Sequence, residues 1–301
     1  MLRDILDGEA QAEAVARVIR AADADVLVLG DIDYDMGGVA LAALAERAGG
    51  YPFRFAALPN RGMQSGRDLD GDGRLGGPGD AEGYGDFAGQ GGLAVLSRLP
   101  LGDVRDFSDF AWADLPGNLA VGDGRDPARL STTAHWDLAV TLPDGSALHL
   151  LTWHATAPVF DGPEDRNGRR NHDETAFWSA YLDGALPWAP PENFVLAGFA
   201  NADPAAGEAR REALLAMLAD PRLRDVRPVS ESGEPATAEW PDGPGRMRVD
   251  YVLPAAGFAV AGSGVLWPEE ESSFGGDVRR ASRHRLVWVD LEMGDRLADR
   301  R

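Results

Sequence analysis

Apolar residues follow two rhythms along this chain. Ile5, Ala12, Val15, Val18 and Ile19 recur mostly at three- and four-residue spacing, which predicts an opening helix. Asp25 then leads into Val26-Leu27-Val28-Leu29, an unbroken apolar run of the kind that forms a strand buried on both faces. Val39 to Ala48 is rich in Ala and Leu and reads as a helix closed by Gly49-Gly50. Residues 60 to 91 carry many glycines and little periodicity, so a long loop is expected there. Strands follow at Gly92 to Ser97, near 133–142 and at 147–154, the last two joined by the turn Pro143-Asp144-Gly145. A polar loop over 155–172 precedes a helix through Phe177, Trp178 and Tyr181. Phe194 to Ala197 reads as a buried strand, Glu208 to Leu218 as a helix, and 249–253, 258–265 and 286–291 as closing strands.

Strands outnumber helices in this reading, and many arrive as hairpin-like pairs. The fold class expected is therefore α/β, with two sheets packed face to face and helices outside them, rather than a doubly wound parallel sheet. The 301 residues, 44% of them hydrophobic, suffice for a large core. No Pro- or Ser/Gly-rich linker divides them, so one domain over 1–301 is expected. No apolar run reaches the roughly 18 residues of a membrane span. The first residues, MLRDILDGEA, lack the basic-then-apolar order of a signal peptide.

Charge and cysteine content narrow the chemistry. The net charge is −20, from 29 basic and 49 acidic residues. Duplex DNA is bound chiefly by neutralising phosphates with Lys and Arg, so this balance disfavours nucleic acid as a partner and favours a small or neutral substrate. The chain has no cysteine, which removes disulfides, thiolate nucleophiles and Cys-ligated zinc and leaves the compartment unread.

Polar residues that interrupt an apolar strand at its end are the first candidates for a site. Four segments supply them: Asp31, Asp33 and Asp35 after the strand at 26–29, His154 after 147–153, Asn201 and Asp203 after 194–197, and His284 before 286–291. Converging at one sheet edge, a carboxylate there suits a hard divalent cation, and the histidines suit phosphate contact or proton transfer. Each residue alone is more often a cap, a turn residue or a structural histidine. Their common placement at strand ends carries the argument.

Several stretches resemble one family. They are Asp31-Ile-Asp-Tyr-Asp35, Asp68-Leu-Asp-Gly-Asp-Gly-Arg74, Phe87 to Arg98, Ser131-Thr-Thr-Ala-His-Trp136, Pro158 to Asn171, Arg248-Val-Asp-Tyr-Val-Leu-Pro254 and Ser282-Arg-His-Arg-Leu-Val287. Together they resemble the endonuclease/exonuclease/phosphatase superfamily, and within it a bacterial subgroup of unassigned substrate. The resemblance implies a four-layer α/β sandwich of two mixed β-sheets with flanking helices. It also implies a divalent-metal-dependent phosphoesterase (a hydrolase of phosphodiesters or phosphorylated small molecules) using Mg²⁺ or Mn²⁺ at the cleft. Carried over residue by residue, Asp31 stands at the metal-binding carboxylate. His154 stands at the histidine that contacts the scissile phosphate, Asn201 at the asparagine of a Gly-Asp-x-Asn motif, and His284 at the general base, with Asp250 supporting it.

Three departures modify that picture. Phe199 stands where the family has the Asp of Gly-Asp-x-Asn, and Arg283 stands where Ser-Asp-His has its Asp. A cation beside His284 is expected to lower its pKa, and the guanidinium is suited to grip a phosphate. The chain also opens at the helix that follows the family's first strand, so that strand is expected to be missing. Either the start lies upstream, which is favoured and would hide an export signal, or the sheet has an open position. The competing function is an inactive relative that binds a phosphorylated ligand or a protein partner in the same cleft.

Two loops remain open. Asp68, Asp70 and Asp72 with Gly73 match the first half of a calcium loop, with Gly79 at the position of the bidentate Glu and Asp80 after it. A structural Ca²⁺ in 68–80 and a solvated acidic loop are equal alternatives, and an adhesion or scaffold module stabilised by that ion is a third reading of the chain. The Arg- and Asn-rich segment 161–171 is either a phosphate-binding loop or a loop held by its own Arg–carboxylate pairs, the latter slightly favoured. His135 is expected to pack or to line the rim, and His149 to face away from His154.

Overall fold

A computed structural model describes residues 1–120, 128–269 and 272–292. The opening helix is two helices, α1 (Leu2–Asp7) and α2 (Ala10–Ala22). Gly8 ends the first in a left-handed conformation, φ 70°, that only glycine adopts without strain. The apolar run after Asp25 is β1 (Val26–Ile32), followed by α3 (Val39–Arg47) and by β2 (Phe53–Ala56), which lacked an apolar signature. β3 (Gly92–Ser97) lies between β1 and β2 and pairs antiparallel with both, giving the order β1-β3-β2.

A second sheet has the order β10-β7-β6-β5-β4. Its strands are β4 (Leu101–Asp106), β5 (His135–Thr141), β6 (Ala147–Trp153), β7 (Phe194–Phe199) and β10 (Asp250–Pro254). β6 and β7 pair in parallel and the other neighbours antiparallel. The parallel step requires a crossover, and α4 (Arg166–Leu182) makes it. α5 (Glu212–Ala219), the small hairpin β8 (Ala238–Trp240) and β9 (Gly245–Met247), β11 (Ala259–Leu266), α6 (Ser273–Ala281) and β12 (Leu286–Glu292) complete the described chain. β11 and β12 form their own antiparallel pair.

Period-two alternation builds the layers. On β3, Leu93 and Val95 face the five-stranded sheet, meeting Trp136, Leu138, Leu150 and Val195. Ala94 and Leu96 face the other way, onto a cluster with Leu27 of β1, Ile19 of α2 and Leu41 and Leu44 of α3. The far face of the five-stranded sheet, through Leu151, Trp153, Leu196 and Tyr251, packs on Phe177 and Trp178 of α4 and on Leu214 and Met217 of α5. Helices, sheet, sheet and helices thus form a four-layer α/β sandwich. At roughly 1.5–3 kcal/mol for each large side chain fully buried, the sheet–sheet seam is a dominant stabilising term.

α4 begins well before the expected end of the 155–172 loop, and this revises the reading of 161–171. The Arg170 guanidinium donates to the carbonyls of Arg129, Leu130 and Ser131. The Asn171 amide donates to the carbonyls of Thr156 and Ala200. Both side chains are buried. They satisfy backbone acceptors in the interior, which leaves them unable to serve as surface phosphate ligands. Glu174, one turn on, accepts from the Thr132 and Thr156 amides, and burial pushes its carboxyl up to about 7. Backbone carbonyls therefore take many of the segment's side-chain donors, alongside the Arg210–Asp165 pair at 2.6 Å and the Arg170 charge acting on Glu174.

His135 packs in the core, 1% exposed, with Nδ1 3.0 Å from Ser131 Oγ and Nε2 2.8 Å from the Glu174 carbonyl. Burial drives its pKa down to about 4. A histidine held neutral by the fold leaves stability intact above its unfolded value of about 6.5 and removes it as pH falls toward the folded value. The His135 contribution to stability should therefore fall in denaturant unfolding between about pH 6.5 and 4, against an opposite contribution from Glu174, whose raised carboxyl favours the fold as pH falls. His135→Gln should flatten that slope. An equally steep fall in the variant would show that His135 does not contribute to it.

Candidate active site

The strand ends carry the expected residues to one place. Asp31, His154, Phe199, Asp250, Arg283 and His284 all line a single groove of about 1830 Å³. Asp31 ends β1 in a left-handed conformation, φ 56°, which turns its carboxylate out of the strand. Its side chain is 65% exposed, and Oδ1 accepts from Arg61 Nη1 at 2.5 Å. Partial loss of water within the groove would raise its pKa, but the pull of His154 and of Arg61, with the Arg61 hydrogen bond, outweighs this and holds it below the usual carboxylate value. Gly91 makes room for the pair: a Cβ there would lie 2.6 Å from Arg61 Nη1.

His154 follows β6, and its ring sits against Phe199, the centroids 5.0 Å apart. Burial pushes its pKa down to about 4, so it is neutral at physiological pH. Its Nδ1 is buried with no hydrogen-bond partner among the described residues. An orphaned buried nitrogen at the head of a groove is costly unless a ligand or water meets it.

His284 behaves differently because Asp250 reaches it. Nδ1 lies 2.9 and 3.0 Å from the two oxygens of Asp250, the first residue of β10. Burial alone would lower the imidazole pKa, but the Asp250 charge and hydrogen bond override it and the pKa is raised. The lowering expected from Arg283 does not occur. Arg285 supplies the opposing cation, and it is weaker than Asp250. Asp250 is set in turn by its backbone N–H, which donates to Thr237 Oγ1 at 3.0 Å.

Phe199 pairs with Asp250 across β7 and β10 and stands between the histidines, 5.0 Å from His154 and 6.2 Å from His284 by ring centroids. Gly30 of β1 accommodates its ring, since a Cβ there would meet Phe199 at 3.0 Å. Asn201 lies just beyond, φ 51°, its amide donating to the Ala155 carbonyl beside His154 at 2.7 Å. Asp203 caps a turn, accepting from the amides of Ala205, Ala206 and Arg248. His149 is bonded to Asp137 on a different part of its sheet, and Asp33 accepts from the Gly91 amide.

Two groups were not legible as site members. Arg61 lies thirty positions from Asp31 inside the glycine-rich stretch, and no spacing rule links them. Trp240 closes on His284 edge-on, 5.4 Å between centroids, from the β8–β9 hairpin that carried no apolar signature. The acidic loop forms a separate cluster. Ligand oxygens of Asp68, Asp70 and Asp80 fall within 4.8 Å of one another, so Asp80 takes the place expected for Asp72. Asp72 Oδ1 instead accepts from the Arg74 amide at 2.8 Å.

A layered α/β sandwich here gathers a carboxylate, two histidines and a histidine-bonded Asp at one end of a groove. The chain belongs to the Endonuclease/Exonuclease/phosphatase family, which it matches over residues 2–284. No curated protein matches it. Among solved structures it is similar to an endonuclease/exonuclease/phosphatase of Beutenbergia cavernae, at 21% identity and TM-score 0.59, over 94% of this chain and 66% of that one. It therefore spans a little under two thirds of that relative's length. It is also similar to the 3′-5′ exonuclease NExo of Neisseria meningitidis, at 17% identity and TM-score 0.54, over 94% of this chain and 95% of that one. A family protein of Leptotrichia buccalis matches at 15% identity and TM-score 0.54, over 94% and 92% of the two chains.

The Asp250 contact predicts a measurable split between the histidines. In an NMR pH titration, His284 should titrate above the free-imidazole value of about 6.5 and His154 well below it. Asp250→Asn should move the His284 midpoint down, because the charge favouring imidazolium is gone. An unmoved midpoint would show that Asp250 does not control this ring.

Proposed function

We propose that this protein is a divalent-cation-dependent phosphoesterase with a modified centre, acting on a phosphorylated small molecule or small phosphodiester. The observation that carries this reading is the His284–Asp250 bond at the end of the groove shared with Asp31 and His154. In this reading His284, oriented by Asp250, takes the proton of the attacking water as the new P–O bond forms. The imidazolium so produced is stabilised by Asp250, and the proton passes on as the old P–O bond breaks and the alcohol departs. His154, neutral with an unused ring nitrogen, suits a hydrogen bond to a phosphate oxygen. Asn201 holds the Ala155 carbonyl and with it the position of His154.

Asp31 is the cleft carboxylate suited to the cation. It is ionised and exposed, and the hydrogen bonds among described residues engage only Oδ1, as fits a Mg²⁺ or Mn²⁺ that keeps most of its waters. Such an ion would supply charge stabilisation for the phosphoryl oxygens. The net charge of −20 favours small substrates over duplex nucleic acid.

A second reading has its own observations in support. Phe199 puts an apolar ring between the histidines, and Arg61 occupies the Asp31 oxygen. Both favour an inactive relative that binds a phosphorylated ligand or a protein partner in the same groove. Assays with bis(p-nitrophenyl) phosphate separate the two. With Mg²⁺ or Mn²⁺ present, His284→Ala and His154→Ala should each lower kcat by about 10²–10⁴-fold. No turnover with any metal, or unchanged turnover in both variants, leaves only the binding reading.

The loop cluster is proposed as a structural Ca²⁺ site, resting on the convergence of Asp68, Asp70 and Asp80. Added Ca²⁺ should raise the Tm, and Asp70→Ala should abolish the rise while Asp31→Ala leaves it in place. A rise that survives Asp70→Ala would remove the loop from consideration.

A further inference from the structure

Arg61 holds Asp31 with one end of its guanidinium and leaves the rest unused. Nη1 donates to Asp31 Oδ1 at 2.5 Å and to the Gly91 carbonyl at 3.3 Å. Nε and Nη2 have no hydrogen-bond partner among the described residues, and neither is enclosed. The charge of Arg61 also acts on His154, helping to lower that ring's pKa, and Asp31 feels both groups. The three side chains therefore lie in one electrostatic neighbourhood.

The backbone beneath Arg61 is locked without help from the ion pair. Asn60 is fully buried, its amide donating to the carbonyls of Ser108 and Ser131 at 2.6 and 2.7 Å and its Oδ1 accepting from Arg129 at 2.9 Å. The Asn60 N–H donates to the Thr133 carbonyl, and the Gly62 N–H to the Gly83 carbonyl. Gly62 sits at φ 70°, where a Cβ would lie 1.9 Å from the Phe87 carbonyl oxygen. A partly exposed ion pair adds little to stability. Arg61 is thus held in place by its neighbours, and its pairing with Asp31 is not what holds the loop.

We propose that Arg61 is a phosphate-binding residue of this site and that it selects phosphomonoester dianions over phosphodiester monoanions. A guanidinium fixed at one end and open along the rest is preorganised for two terminal oxygens of a phosphoryl group. Arg61 engages only Oδ1 of Asp31, which leaves Oδ2 for the cation of the preceding reading. Arg61 and a divalent cation together outweigh the single Asp31 charge, so a doubly charged ligand is drawn in more strongly than a singly charged one. In a protein of net charge −20, such a local excess of positive charge is what admits an anion. The inference deepens the reading of this end of the groove as a phosphate site and rests on it, but it does not require turnover.

Calorimetric titration with inorganic phosphate and with dimethyl phosphate, at about pH 8 with Mg²⁺ present, tests the assignment. Arg61→Gln should weaken binding of inorganic phosphate, there chiefly a dianion, by about tenfold. Coulomb energy scales with ligand charge, so the monoanion dimethyl phosphate should lose about threefold, the square root of that factor. A second measurement needs no variant: phosphate should slow phenylglyoxal modification of Arg61 in the unaltered protein, read by peptide mass mapping. Phosphate affinity unchanged or raised in Arg61→Gln would mean that Arg61 only plugs Asp31, and would overturn the proposal. Equal losses for the two ligands, or modification at the same rate with and without phosphate, would do so too. Turnover of p-nitrophenyl phosphate separates this outcome from failure of the hydrolase reading. Its absence beside Arg61-dependent phosphate binding sinks hydrolysis and leaves the assignment of Arg61 standing. Turnover beside Arg61-independent phosphate binding sinks the assignment alone.

Discussion

The candidate site exists because the two sheets share one apolar seam. Leu93 and Val95 of β3 interlock with Trp136, Leu138 and Leu150, and Phe55 of β2 meets Trp136 edge-on at 4.8 Å. That packing fixes the height of β1 relative to β6, β7 and β10. Asp31, His154, Phe199 and Asp250 are then the residues that emerge where those strands end. A one-residue slip along any strand would send its apolar set to the wrong face. The seam therefore specifies the site's geometry as well as the fold's stability.

Within that frame the buried His154 and the partly buried His284 receive opposite electrostatic environments. His154 is enclosed by Phe199 and has no bonded carboxylate, so burial wins and the ring stays neutral. His284 has a carboxylate within hydrogen-bond reach, so charge wins and the ring holds its proton more firmly. Two imidazoles with pKa values pushed apart are suited to different tasks on one substrate. Phe199 contributes by exclusion: with an apolar ring between the histidines, neither gains a second charged neighbour from that position.

Much of this was legible in the residue pattern, for reasons that can be named. Unbroken runs such as Val26-Leu27-Val28-Leu29 and Phe194-Val195-Leu196-Ala197 specify buried strands because exposing them to water is costly. Polar residues at the ends of those runs are conspicuous. The short strands β2, β8 and β9 and the edge strand β4 were not legible, because exposed strands need no apolar run. The Arg/Asn segment at 161–171 misled for the converse reason. Charged and amide side chains read as surface, yet Arg170, Asn171 and Glu174 are buried to satisfy backbone groups of neighbouring loops.

The amino-acid sequence by itself determined the layered α/β class and the strand-end candidates Asp31, His154, Asn201 and His284, while Asp250 came only from the family resemblance. Local periodicity and residue chemistry contain that information. Only the tertiary structure decided who touches whom. It paired Arg61 with Asp31 and Asp250 with His284, and it exchanged Asp72 for Asp80 in the acidic cluster. These are contacts between segments far apart in the chain. Long-range packing sets such distances, and no pattern within a short window encodes them.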